Sequence, residues 1–117
     1  MKTFNFKNYK NCYFNINTYA HNNLCMAISI ENNKYGPLFT STVYLERYFY
    51  EPGIICIKNY SENSGMLDLF KKLDLILRHL DSIKCNIYAA DTETMELCQI
   101  NLDKLKEYSK EWNYLNV

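Results

Sequence analysis

The hydrophobic period changes near the middle of the chain, and that change predicts the architecture. Over residues 11–19 apolar and polar positions alternate. Cys12, Phe14 and Ile16 fall on one face, and Asn11, Tyr13, Asn15 and Asn17 on the other. Successive side chains of a strand point to opposite sides, so this is the signature of a half-buried strand. His21-Asn22-Asn23 breaks the pattern with turn residues, and Leu24, Met26, Ile28 and Ile30 resume it. Residues 31–37 read as a second turn. Residues 38–47 have the Thr, Val, Tyr and Phe content of a strand, with Phe39, Ser41, Val43 and Leu45 inward or the opposite phase. Residues 48–53 connect it to the short apolar run Ile54-Ile55-Cys56-Ile57, which fits a strand covered on both faces.

Beyond residue 60 the spacing becomes helical. Met66, Leu69, Phe70, Leu73, Ile76, Leu77 and Leu80 recur at i, i+3, i+4 and i+7, opposite Asp68, Lys71, Lys72, Arg78 and His79. This predicts an amphipathic helix over residues 64–80, with a break near Asp74 allowed because Leu75 interrupts the polar side. Ser61 or Ser64 is expected to cap it, and Glu62 and Asp68 lie near its positive end, where the dipole favours acidic groups. Residues 84–89 and 95–100 read as two more strands joined by a hairpin loop. Asn101 is then expected to cap a last helix over residues 102–112, whose stripe is Leu102, Leu105, Tyr108 and Trp112. The expectation is one α+β domain over residues 1–117: an antiparallel sheet of five or six strands with two helices packed on one face.

Composition narrows the function classes. The 117 residues suit a single domain. Formal net charge is zero, which argues against a general nucleic-acid binder, whose basic excess replaces counterions, and against an acidic DNA mimic. The charge is unevenly divided: residues 1–60 hold six basic and three acidic side chains, and residues 61–117 hold seven and ten. No apolar run is long enough for a membrane span and no secretory h-region is recognisable, so a soluble protein, cytoplasmic in whatever cell makes it, is expected. Fifteen Asn, eleven Tyr, eleven Lys and ten Ile against two Arg and three Gly point to AT-rich codons. The five cysteines, Cys12, Cys25, Cys56, Cys85 and Cys98, have no knuckle spacing and are expected to be buried and reduced.

Reactive constellations are not evident. Asp91, Glu93 and Glu96 read as solvated charges of a hairpin loop. His21 and His79 read as exposed groups in a turn and on the polar face of a helix. No catalytic residue, metal ligand set or cofactor is therefore expected. The candidate partner-binding residues are Tyr44, Arg47, Tyr48 and Tyr50, whose aromatic and Arg composition is that of interface anchors, and the elbow residues Lys58, Asn59, Tyr60, Glu62 and Asn63. Tyr13, Tyr19 and Tyr35 extend that surface if they share the outer face of the sheet. Stacked tyrosines also suit single-stranded nucleic acid, an option weakened by the lack of basic neighbours. For the elbow the structural alternative is that Ser, Glu and Asn cap a helix and Gly65 lets it approach the sheet closely.

Three segments carry a resemblance: Asn23-Leu24-Cys25-Met26-Ala27-Ile28, Thr40-Ser41-Thr42-Val43, and Ile57-Lys58-Asn59-Tyr60-Ser61-Glu62-Asn63-Ser64-Gly65-Met66-Leu67. Together they make residues 19–75 similar to an uncharacterised family of small domains from bacterial plasmids, conjugative elements and phages. The elbow is its most specific part, and the final helix departs from the shorter members. The resemblance implies a setting among mobile elements, whose accessory proteins often disable host defence. The expected function is a non-catalytic inhibitor that sterically blocks a bacterial defence protein, of the anti-CRISPR type, with a CRISPR-Cas component as its partner. A nucleic-acid-binding module of plasmid or phage maintenance is the alternative, and a small enzyme that modifies a host target is a third.

Overall fold

A computed structural model describes residues 1–20, 22–45, 51–84, 94–112 and 114. The strands expected over residues 11–19 and 24–30 form as the alternation predicts, whereas the one expected over residues 38–47 is Gly36–Thr40, and Phe4–Phe6 is a strand the alternation did not predict. Strands β1 (Phe4–Phe6), β2 (Tyr9–Tyr19), β3 (Asn22–Asn32) and β4 (Gly36–Thr40) form an antiparallel sheet in the order β1-β2-β3-β4. β5 (Ile54–Lys58), β6 (Ile76–Lys84) and β7 (Thr94–Ile100) form a second antiparallel sheet in the order β5-β7-β6.

The expected single sheet of five or six strands is thus two sheets, of four and three strands. The ladder breaks at residues 41–43. Ser41 N–H still donates to Ile28 of β3, whereas Val43 N–H donates to Cys56 and Ser41 accepts from Lys58 N–H, both in β5. Thr42 makes a lone bridge to Ile57. The segment changes partner within three residues, too short a run to continue one sheet.

The two helices are α1 (Met66–Lys72) and α2 (Leu102–Glu107). One buried cluster joins Phe14, Ile16, Ile28 and Ile30 of the first sheet, Ile55, Ile57, Cys98 and Ile100 of the second, and Met66, Phe70 and Leu105 of the helices. Phe14 stands at its centre, with ring centroids 4.6 Å from Phe4 and 5.4 Å from Phe70. Burying such aromatic surface is the main stabilising term.

The helix expected over residues 64–80 ends at Lys72. Asp74 takes a left-handed φ of 60°, and the amides of Asp74 and Leu75 return to the carbonyls of Lys71 and Phe70 at 3.0 and 2.9 Å. That is a Schellman ending, and its usual apolar contact is supplied by Leu75 and Phe70, both fully buried. Asp tolerates this conformation better than most side chains. The chain then re-enters as β6, with register shifts between Ile76 and Arg78 and between His79 and Asp81. Leu77 and Leu80 are the extra residues at those bulges, and both are exposed.

The last helix also stops early. Asn101 caps it as expected, its Oδ1 accepting from Lys104 N–H. After Glu107 the chain runs parallel to β2, with Phe14 N–H donating to Tyr108 and Lys110 N–H to Phe14. These bonds satisfy β2 beyond the reach of β1 and outweigh five further residues of helix. Leu102, Leu105, Tyr108 and Trp112 still pack on the core. Among the described residues no helix is long and apolar enough to cross a membrane. Cys12, Cys25, Cys56 and Cys98 are buried free thiols; Cys85 lies outside the described residues.

Candidate functional surface

β5 presents apolar side chains to both sides. Ile55 and Ile57 enter the main core. Cys56, one step out of phase, joins Ile83 and Met95 in a separate cluster, and Val43, Leu45, Tyr60 and Leu97 pack against it. The fold thereby brings two segments singled out in the sequence, the stretch after β4 and the elbow after β5, onto one patch. Tyr44 lies beside it, its ring 5.2 Å from that of Tyr19, in a neighbouring cluster with Cys25 and Ile54. Tyr19 hydroxyl and Thr42 Oγ1 are 3.0 Å apart. Arg47, Tyr48 and Tyr50 lie outside the described residues, as do His21, Asp91 and Glu93.

The elbow runs from strand to a short turn of 3-10 helix, Ser61–Asn63, and then into α1. Its side chains divide by role. Lys58 Nζ is 2.9 Å from Glu62 Oε1 and 5.4 Å from the centre of the Tyr60 ring. The ammonium group bonded to Glu62 holds its carboxyl below the usual range. Lys7, from the turn between β1 and β2, donates to the Glu62 carbonyl at 2.6 Å. These groups are exposed or half-buried and form a charged rim beside the apolar patch.

Asn59 and Asn63 serve the fold. Asn59 Oδ1 accepts from Leu67 N–H at 2.9 Å, which is the capping role expected of Ser61 or Ser64. Asn63 is fully buried, and its Nδ2 donates to the Thr40 carbonyl at 2.5 Å, tying the elbow to β4. Gly65 acts differently from its expected role. A Cβ there would meet nothing within 4 Å, but its φ is +91°, so the residue supplies a left-handed turn and not a close approach.

Two groups read as bystanders in the sequence belong to one polar clasp. Glu96 is a strand residue, 5 % exposed, and His79 stands on β6 rather than on a helix. Glu96 accepts from Thr94 Oγ1 at 2.7 Å and Ser82 Oγ at 2.9 Å, and its other oxygen lies 2.5 Å from His79 Nε2. A buried carboxylate needs such partners, and these fasten β6 to β7. The sequence signal was phase: Glu96 alternates with Cys98 and Ile100, which are buried. Among the described residues no cluster of His, Cys, Asp and Glu could hold a metal ion. Burial pushes the Cys25 thiol up to about 11 and the Cys98 thiol up to about 12, the opposite of what a nucleophile requires.

The tyrosines named as possible extensions separate. Tyr13 is buried, with Lys110 Nζ 5.7 Å from its ring centre. Tyr19 is half-buried under Tyr44. Tyr35 is 60 % exposed at the turn between β3 and β4. No protein family, curated protein or solved structure matches the chain.

Proposed function

We propose that the protein acts by binding another protein, as a non-catalytic inhibitor from a phage or mobile element that covers a surface of a bacterial defence protein, of the anti-CRISPR type. The observation that carries this reading is the convergence of Val43, Leu45 and Tyr60 over Cys56, Ile83 and Met95, edged by the Lys58–Glu62 pair. A half-buried aromatic and aliphatic centre inside a polar, charged rim is the anatomy of a protein interface. The mobile-element setting rests on the resemblance of the elbow.

Mixing the purified chain with purified CRISPR effector complexes from low-GC hosts, followed by size-exclusion chromatography, tests the reading. Co-elution with a complex and inhibition of its target cleavage is the expected result. The charge swap Lys58→Glu with Glu62→Lys keeps an internal ion pair while reversing the pattern offered to a partner, and it should abolish both. Failure to bind or inhibit any complex contradicts the proposal.

A further inference from the structure

The turn ends of the four-stranded sheet carry a second site. The turn between β1 and β2 and the turn between β3 and β4 stand side by side and enclose an open cleft of about 400 Å³. Asn32, 5 % exposed, holds the two together. Its Oδ1 accepts from Tyr35 N–H at 2.8 Å and its Nδ2 donates to the Lys10 carbonyl at 3.4 Å. Beneath them the Tyr13 hydroxyl donates to Asn33 Oδ1 at 3.3 Å. The cleft is therefore built from anchored turns.

Its chemistry is specific in three respects. Tyr35 presents a largely exposed ring, braced edge-on by Tyr9 at 5.9 Å and 81°. Lys10 and Lys34 line the cleft, and among the described residues no carboxylate does; Lys34 Nζ is 5.2 Å from the Tyr35 ring centre. Asn8, Asn11 and Asn33 supply side-chain amides, each able to donate and to accept. A flat aromatic platform stacks a base of any identity, ammonium groups pair with phosphate, and amides meet base edges. The volume is in the range of small-ligand pockets and gives room for about one nucleotide.

We propose that this cleft binds single-stranded nucleic acid, with a base stacked on Tyr35 and the flanking phosphates on Lys10 and Lys34. An acidic peptide would use the lysines but leave the ring and amides without a counterpart. A neutral sugar would leave the ammonium groups without one. The even charge of the whole chain conceals this site because the acidic excess lies in residues 61–117, whereas Lys10 and Lys34 line this cleft. The site is separate from the elbow patch, so its failure leaves the protein-binding reading intact.

Fluorescence anisotropy with labelled oligothymidine and oligouridine twelve-mers tests it, with a duplex of equal length and polyglutamate as competitors. Micromolar binding of a single strand is expected, with log affinity falling against log salt at a slope of about −1.4 for two phosphate contacts. The DNA and RNA arms show which strand is preferred. Tyr35→Ala, at an exposed position, should weaken binding about five-fold or more while the melting curve is unchanged. Lys34→Ala should lower the salt slope by about 0.7. No binding at micromolar strand, equal competition by polyglutamate, or full affinity in Tyr35→Ala overturns the proposal.

Discussion

Strands β2 and β6 belong to one fold but bury their side chains by different rules. β2 lies inside its sheet. Cys12, Phe14 and Ile16 enter the core, while Lys10, Asn11 and Asn17 remain exposed on the same strand. β6 is the last strand of its sheet among the described residues. It buries Ile83, half-buries Ile76, and exposes the residues between them. What holds β6 is the backbone ladder to β7 and the clasp of His79 and Ser82 on Glu96. A strand fixed by its core and a strand fixed by polar contacts should answer differently to the same insult.

The largest difference is expected from the core. Phe70→Ala removes the ring that meets Phe14 from α1, and should cost about 3–5 kcal/mol in urea unfolding. Glu96→Ala leaves His79, Ser82 and Thr94 without their acceptor and should cost about 1–3 kcal/mol. Amide exchange should sharpen the contrast: in Glu96→Ala, protection falls in β6 before it falls in β2. Equal loss in both strands would show that the clasp does not act locally.

Alkaline pH should weaken the fold more gradually. The unfolded chain loses its thiol protons near 9, whereas the folded chain keeps those of Cys25 and Cys98 to about 11 and about 12. The folded state binds more protons across that interval, so stability is full below pH 9 and declines above it. A melting series from pH 7 to 11 checks the direction, and Cys98→Ser should flatten part of the decline. The smallest effect is expected at the bulges: Leu77→Lys and Leu80→Lys should each change stability by about 0.5 kcal/mol or less. On the buried face of a helix, as the spacing of residues 64–80 suggested, the same changes would be severely destabilising.

That spacing explains why β6 was illegible. A bulge adds one residue to a strand, and the two here fall at Leu77 and Leu80, which with Ile76 continue the spacing of the helix before them and imitate a helical stripe. In β2 and β3 the run that forms the core is free of bulges and most positions on the opposite face are polar, so period two survives in the sequence. The strand-elbow-helix order was equally legible, because Ile54–Lys58 is a short apolar run and Met66 opens a true helical turn. The roles of its polar residues were not. Whether an Asn caps a helix, as Asn59 does, or fills the interior, as Asn63 does, depends on Thr40 and Leu67, which local pattern does not connect to it. The cleft was hidden for the same reason. Of its two turns only the one over residues 31–37 was recognisable; the turn between β1 and β2 was not, and the adjacency of the two follows from the register that sets Tyr13 opposite Glu31.

The most direct test of the protein-binding account is plasmid transformation of a low-GC bacterium carrying an active CRISPR system that targets the plasmid. Expression of the chain should restore transformation. The Lys58→Glu, Glu62→Lys variant should fail to do so while melting like the unaltered protein, and Tyr35→Ala should retain the effect. No restoration by the unaltered chain, or full restoration by the charge-swapped one, would contradict the account.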